Sequence, residues 1–189
     1  MHTVLVTAIG SFSADVVIRR LRELGVRVVG CDIYPAEWVA DSMSVSAFHQ
    51  APYASDAERY ASFVRDVCAR EGVDLIFPLT DVEVDFFAAC PADSLPEGVT
   101  VCISPRDAIS VCRDKGRMSA FLAASQSGVR GIPTRPLAEA LDEPFSSPVV
   151  CKPVDGRSSS GLMRVRCAAD WDAARAVDDP GRYIVQPLA

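Results

Sequence analysis

The chain has 189 residues, 49% of them hydrophobic, and a formal net charge of −6. That length suits one good core, or one domain and part of a second, and no run approaches the roughly 18 consecutive apolar residues of a membrane span. The acidic balance argues against nucleic acid and anionic membranes as partners, and the opening Met1-His2-Thr3-Val4-Leu5-Val6 lacks the features of a signal peptide and reads as a first strand.

In chain order, Thr3–Thr7 is a β-branched run, broken by Ala8-Ile9-Gly10-Ser11-Phe12-Ser13. Val17, Leu21 and Leu24 recur at i, i+4 and i+7 and predict an apolar helix stripe that Gly25 ends. Val26–Cys31 predicts a second strand ending at Asp32, and Ser44–Phe48 a short third. Ser55 followed by Glu58 predicts a capping box. Behind it Tyr60, Phe63, Val64 and Val67 line one face of a helix that closes at Gly72. Leu75–Leu79, Val82–Cys90 and Val99–Ile103 read as strand, short helix and strand. Such alternation, with strands apolar on both faces, predicts a mostly parallel sheet covered by helices.

From Pro105 the texture changes. Helical turns are predicted over Pro105–Val111 and Asp114–Ser125, the second with Met118, Phe121 and Leu122 on its inner face. A Gly/Pro-rich connection follows, with Gly128, Gly131, Pro133 and Pro136. Strands at Pro148–Lys152 and Leu162–Arg166 flank a Gly/Ser loop and predict an antiparallel hairpin, not another βαβ unit. A helix at Ala169–Val177 and a strand at Tyr183–Gln186 follow. The expected fold class is α/β, with a Rossmann-like parallel sheet over 1–106 and an α+β unit over 107–189.

Seven cysteines (Cys31, Cys68, Cys90, Cys102, Cys112, Cys151 and Cys167) are odd in number, mostly in apolar stretches and never in C-x-x-C spacing. With only His2 and His49 beside them, they predict buried reduced thiols in a cytoplasmic protein, not a disulfide framework or zinc site. Arg19, Arg20, Arg22 and Arg27 form a basic patch that a solvated helix face explains.

Three segments are candidates for chemistry. The first βα turn keeps only Gly10 of the G-x-G-x-x-G pattern, with Ala8 and Ser13 in place of the other glycines. It is expected to belong to a Rossmann-like domain that binds no dinucleotide. Asp32, at the second strand end, suits either a ribose hydroxyl or a plain strand-end turn. The segment Lys152-Pro153-Val154-Asp155-Gly156-Arg157-Ser158-Ser159-Ser160-Gly161-Leu162 leaves one apolar strand and enters another. Its glycines and serines present N–H and hydroxyl groups as phosphate cradles do, but Leu162 and Met163 stand where a P-loop needs Lys and Ser/Thr. Lys152 follows Val149-Val150-Cys151 on a strand that should be buried, where an ammonium is costly without an anion. A phosphate charge about 4 Å away would return roughly 4 kcal/mol before desolvation at an effective dielectric near 20. A hairpin loop with a snorkelling lysine is the competing reading. Asp114-Lys115, taken alone, is ordinary helix-start chemistry.

Taken together, these segments resemble the opening of an ATP-grasp domain. That family carries a D-K-x-x-M-x-x-F-L helix, matched by Asp114, Lys115, Met118, Phe121 and Leu122. Its connection is matched by Ile132-Pro133-Thr134, and its P-V-V-x-K-P strand and loop by Pro148-Val149-Val150-Cys151-Lys152-Pro153 and Gly156–Gly161. Tyr183-Ile184-Val185-Gln186-Pro187-Leu188 resembles the hinge strand beneath the adenine, and 1–104, including Asp74–Val84, resembles the domain that precedes ATP-grasp domains. The likeness is greatest to the carbamoyl-phosphate synthase large-subunit-like and carboxylate–amine ligase group.

The resemblance implies an ATP-dependent ligase in which ATP phosphorylates a small carboxylate and an amine or similar nucleophile displaces the acyl phosphate. Charge neutralisation and positioning carry such chemistry. It implies that Lys115 and Lys152 contact phosphates, with Lys152 also placed near the adenine. Gly156, Arg157, Ser158, Ser159, Ser160 and Gly161 would form a mobile lid over the β/γ-phosphates, and Val185, Gln186 and Leu188 would meet the adenine edge. Arg157 either adds charge at the transferred phosphoryl or faces solvent. Two departures stand out: Pro187 follows Gln186 where the family usually has glutamate, and the catalytic and Mg²⁺-holding residues of the family lie downstream of Ala189. The expectation is therefore a truncated, by itself inactive, N-terminal piece of a cytoplasmic ligase using ATP and Mg²⁺, with a homodimer left open. The alternative is a non-catalytic Rossmann-like nucleotide- or metabolite-binding module.

Overall fold

Five short apolar runs become one parallel sheet: β1 (Thr3–Val6), β2 (Arg27–Asp32), β3 (Ala47–Gln50), β4 (Leu75–Phe77) and β5 (Thr100–Val101), in the order β3-β2-β1-β4-β5. The computed structural model describes residues 2–91, 95–126 and 128–188 and divides into two units, Met1–Pro105 and Arg106–Ala189. In the first unit the central strand explains the unbroken apolar sequence. Leu5 lies in register between Val29 and Ile76. With them it packs on Tyr60, Val64 and Val67 of α2 (Ala57–Glu71) and on Phe87 of α3 (Asp81–Ala89). Val4 and Val6, one residue to either side, face the opposite way onto Ala14 and Ile18 of α1 (Ala14–Glu23). Burying such a side chain contributes about 1.5–3 kcal/mol, so β1 serves two cores at once.

Three local expectations need correction. The inner face of α1 centres on Ile18, with Val17 and Leu21 packed beside it, while Leu24 is 61% exposed because the helix has ended. The cap of α2 is Asp56, whose carboxylate accepts the Arg59 N–H at 3.3 Å, so Ser55 does not open the helix. Arg27 is not on a helix face: it starts β2 and pairs with Glu71 at 2.6 Å. A reciprocal box does occur further on, where Thr80 and Glu83 cap α3.

The second unit holds α4 (Arg106–Arg113), α5 (Lys115–Ala124) and an antiparallel sheet of β6 (Arg135–Pro136), β7 (Val149–Pro153), β8 (Met163–Val165) and β9 (Tyr183–Pro187), in the order β6-β9-β7-β8. One face of this sheet is covered by α6 (Ala168–Arg175). Trp171 and Ala174 of that helix pack on Cys151, Val165 and Val185, with Leu137 and Ala140 closing the cluster. The Trp171 indole donates to the Glu143 carbonyl at 2.8 Å. The expected inner stripe of α5 forms only in part: Met118 and Leu122 are half-buried, whereas Phe121 is 57% exposed and no residue of that helix is fully buried. Its first turn approaches the sheet at Ile184, and Leu122 lies beside Gly131 of the following connection. The thiols also divide, since Cys31, Cys68 and Cys151 are buried while Cys102, Cys112 and Cys167 are exposed. Among the described residues no helix is long and apolar enough to cross a membrane.

Candidate functional site

The strand period decides which side chains of β7 reach each face. Cys151 and Val185 lie opposite each other in register and both belong to the core beneath α6. Alternation therefore sends Val150 and Lys152 of β7, and their partners Gln186 and Ile184 of β9, to the other face. Lys152 is half-buried there. Among the described residues its ammonium has no hydrogen-bond or ion-pair partner. A desolvated cation without an anion is unfavourable unless something negative arrives. Cys151, one residue before, is a packing group: burial pushes its thiol up to about 11, far from the range of a reactive cysteine.

The separated sequence motifs meet around this strand. Asp114 caps α5 by accepting the N–H groups of Gly116 and Arg117 at 2.8 and 2.9 Å. That fixes the helix start, and the Lys115 N–H then reaches the Val154 carbonyl at 3.0 Å. The Lys115 ammonium donates to the carbonyls of Val154 at 3.2 Å and Gly156 at 2.8 Å. On β9, the Gln186 amide donates to the Thr134 hydroxyl at 2.8 Å, and that hydroxyl donates to the Ile132 carbonyl at 2.8 Å. The helix start, the Ile132-Pro133-Thr134 connection, the lysine strand and the last strand are thereby tied into one assembly.

The loop after β7 is exposed from Arg157 to Gly161. Ser158 and Ser159 have φ of 46° and 59°, a region that side chains other than glycine rarely occupy. Gly161 has φ of 71°, and a Cβ there would come within 2.8 Å of Pro153, so only glycine closes the loop this way. Beside the loop lies an open cavity of about 790 Å³, lined by residues that include Gly156, Ser160, Asp179, Arg182 and Tyr183. Pro153 and Tyr183, also in its wall, are on the α6 side of the sheet. Neither Lys115 nor Lys152 lines it.

Of the expected site residues, Lys115 and the carbonyl of Gly156 are in direct contact, and Lys152 and Gln186 share the open sheet face. Arg157, Ser158, Ser159, Ser160 and Gly161 stand in solvent. The Val185 side chain is committed to the core, and the Leu188 N–H is held by the Pro148 carbonyl at 3.1 Å. No set of three or more His, Cys, Asp or Glu groups is placed to hold a metal among the described residues.

In the first unit Asp32 closes a strand-end turn. Its two carboxylate oxygens accept the N–H groups of Gly10 at 2.8 Å and Tyr34 at 3.0 Å, and a Cβ on Gly10 would sit 3.0 Å from that carboxylate. A buried polar group to which the sequence reading gave no role lies near the ends of β1 and β4. The Glu83 carboxylate accepts from the Tyr60 hydroxyl at 3.1 Å and the Thr80 hydroxyl at 2.6 Å. Burial, helped by the charges of Cys31 and Glu83, pushes the Tyr60 phenol well up, so it stays protonated and donating. The Thr80-to-Glu83 spacing was the available signal for this cluster.

Comparison with known proteins agrees with this architecture. The sequence is 32% identical over 189 aligned residues to formate-dependent phosphoribosylglycinamide formyltransferase from Synechococcus sp. (strain CC9605), covering 93% of this chain and 44% of that protein. An L-amino acid ligase from Bacillus licheniformis superposes with a TM-score of 0.69 at 20% identity, over 100% of this chain and 44% of its own. The chain is thus similar to the N-terminal part of ATP-grasp enzymes. Two further ATP-grasp structures share the fold. N5-carboxyaminoimidazole ribonucleotide synthetase from Thermotoga maritima gives a TM-score of 0.69 at 17% identity, over 100% of this chain and 46% of that one. Biotin carboxylase from Campylobacter jejuni, in complex with β-γ-ATP, gives 0.70 at 19%, over 98% and 45%. No family model matches the sequence. The chain thus spans less than half the length of the curated relative it matches.

Proposed function

We propose that this chain supplies the front of an ATP-dependent ligase that activates a small carboxylate as an acyl phosphate for attack by an amine or similar nucleophile. The observation that carries the reading is Lys152, a half-buried lysine whose ammonium has no partner among the described residues, on the face of the second sheet away from α6. There it would take a nucleotide phosphate as its counter-ion, with the half-buried Gln186 on the same sheet face to meet the base. Gln186, held by Thr134, would present its remaining polar capacity to that base. Lys115 and the 156–161 loop, exposed from Arg157 onward, stand at the strand's end, where the phosphate tail would run. Val185 and Leu188 would contribute backbone, since the Val185 side chain is core.

Such chemistry needs no side-chain nucleophile, only in-line positioning and neutralised charge. Mg²⁺, when bound, would supply part of that neutralisation. The free thiols support a reducing, cytoplasmic setting. In an enzyme carrying this chain, Lys152→Ala is expected to lower ATP-dependent turnover at least about tenfold, ~1.4 kcal/mol. Unchanged kinetics in that variant would refute the proposal.

A further inference from the structure

The 156–161 loop has few anchors of its own. Its internal hydrogen bonds, Gly156 N–H to Pro153 at 3.3 Å, Ser160 N–H to Arg157 at 2.7 Å and Leu162 N–H to Ser159 at 3.1 Å, are all short-range turns. Two consecutive serines hold positive φ, and the side chains from Arg157 to Ser160 lie in solvent. Turns of this kind, with no buried side chain behind them, open at little cost. One side chain from a distant part of the sequence grips the loop base. The Lys115 ammonium donates to both Val154 and Gly156 carbonyls, and the Lys115 N–H donates to Val154 as well. Across the strand end, the Val154 N–H donates to the Arg182 carbonyl at 2.9 Å and Arg182 pairs with Asp155 at 2.7 Å.

We infer that Lys115 is the positioning residue of this loop: its ammonium latches the Val154 and Gly156 carbonyls and thereby holds the Gly/Ser turn in place before any ligand arrives. Charge-assisted hydrogen bonds are stronger than neutral ones, so this side chain dominates the loop's attachment. Because Asp114 caps α5, the latch connects the register of a helix start to the shape of a loop well separated in sequence. It also sets a condition on Lys115 as a phosphate contact: an anion over the loop must compete with two carbonyls already in hand. The latch itself requires no nucleotide, so it stands or falls apart from the ligase reading.

Hydrogen–deuterium exchange on the 189-residue chain tests it. Lys115→Met is expected to speed exchange in peptides covering 154–162 by roughly tenfold. Peptides from β1, β2 and the centre of β9 should keep wild-type rates. Lys115→Arg, which retains a charged donor, should restore most of the protection. Lys115→Gln, with a shorter neutral donor, should loosen the same peptides and serves if the methionine variant folds poorly. Wild-type exchange over 154–162 in both neutral variants would overturn the inference. So would loosening spread equally over β7 and β9, or no recovery with arginine.

Discussion

The two units handle polar groups in opposite ways. In the first, each buried carboxylate has fixed protein donors: Asp32 takes two backbone N–H groups, and Glu83 takes the hydroxyls of Tyr60 and Thr80. Glu71 is likewise clasped, by Arg27 at 2.6 Å and His49 at 2.8 Å. In the second unit, the sheet face away from α6 carries a half-buried lysine with no partner among the described residues, the adjoining loop is exposed from Arg157 to Gly161, and no residue of α5 is fully buried. The second unit leaves a charge without a partner among its described residues, as a ligand-binding surface can.

If that contrast is real, substitutions should divide by unit. The largest effect belongs to the first unit's centre, where Ile76→Ala removes a fully buried side chain between β1 and β5 and should cost about 2–5 kcal/mol in denaturant melts. A loss under about 1 kcal/mol would mean that the core is looser than its burial implies. Tyr60→Phe takes away a donor to the buried Glu83 carboxylate and should cost about 1–3 kcal/mol. A neutral result there would erase the contrast, because the cluster would then be as dispensable as a surface group. At the other extreme, Lys152→Met deletes a charge that no described residue pairs with and should shift stability by less than about 0.5 kcal/mol.

The clasp at Glu71 adds a pH test with a defined sign. Hydrogen bonds from Arg27 and then His49 hold its carboxyl below the ordinary carboxylate value. A lowered folded pKa contributes stability above the unfolded pKa, about 4.3 for glutamate, and that stability is lost as pH falls through the folded value. Thermal melts below about pH 4.3 should therefore show a fall that Glu71→Gln reduces. Identical acid profiles would show that the clasp is energetically idle.

Legibility in the sequence followed how local each signal was. The strands of the first sheet were readable because Val4, Leu5 and Val6 serve two cores and leave an unbroken apolar run. The hairpin of β7 and β8 was readable because the Gly/Ser loop interrupts two such runs. The α5 stripe was legible only in part: Met118 and Leu122 are half-buried, but Phe121, with the same helical spacing, is exposed, because spacing alone does not say how wide the partner surface is. Ser55 was misread as a cap because Asp56, one residue on, competes for the same donors. The Lys115 latch was invisible, since it depends on backbone carbonyls of Val154 and Gly156, which every sequence possesses. Lys152 was legible because a lysine inside an apolar strand is conspicuous without any structure.

The most direct measurement is titration of the chain with a fluorescent ATP analogue, wild type against Lys152→Met, with melting curves recorded on the same samples. Saturable binding that weakens at least about tenfold in the variant, ~1.4 kcal/mol, at unchanged melting temperature is the expected result. Equal affinity in the two proteins would contradict the assignment of Lys152 as the counter-ion of the nucleotide.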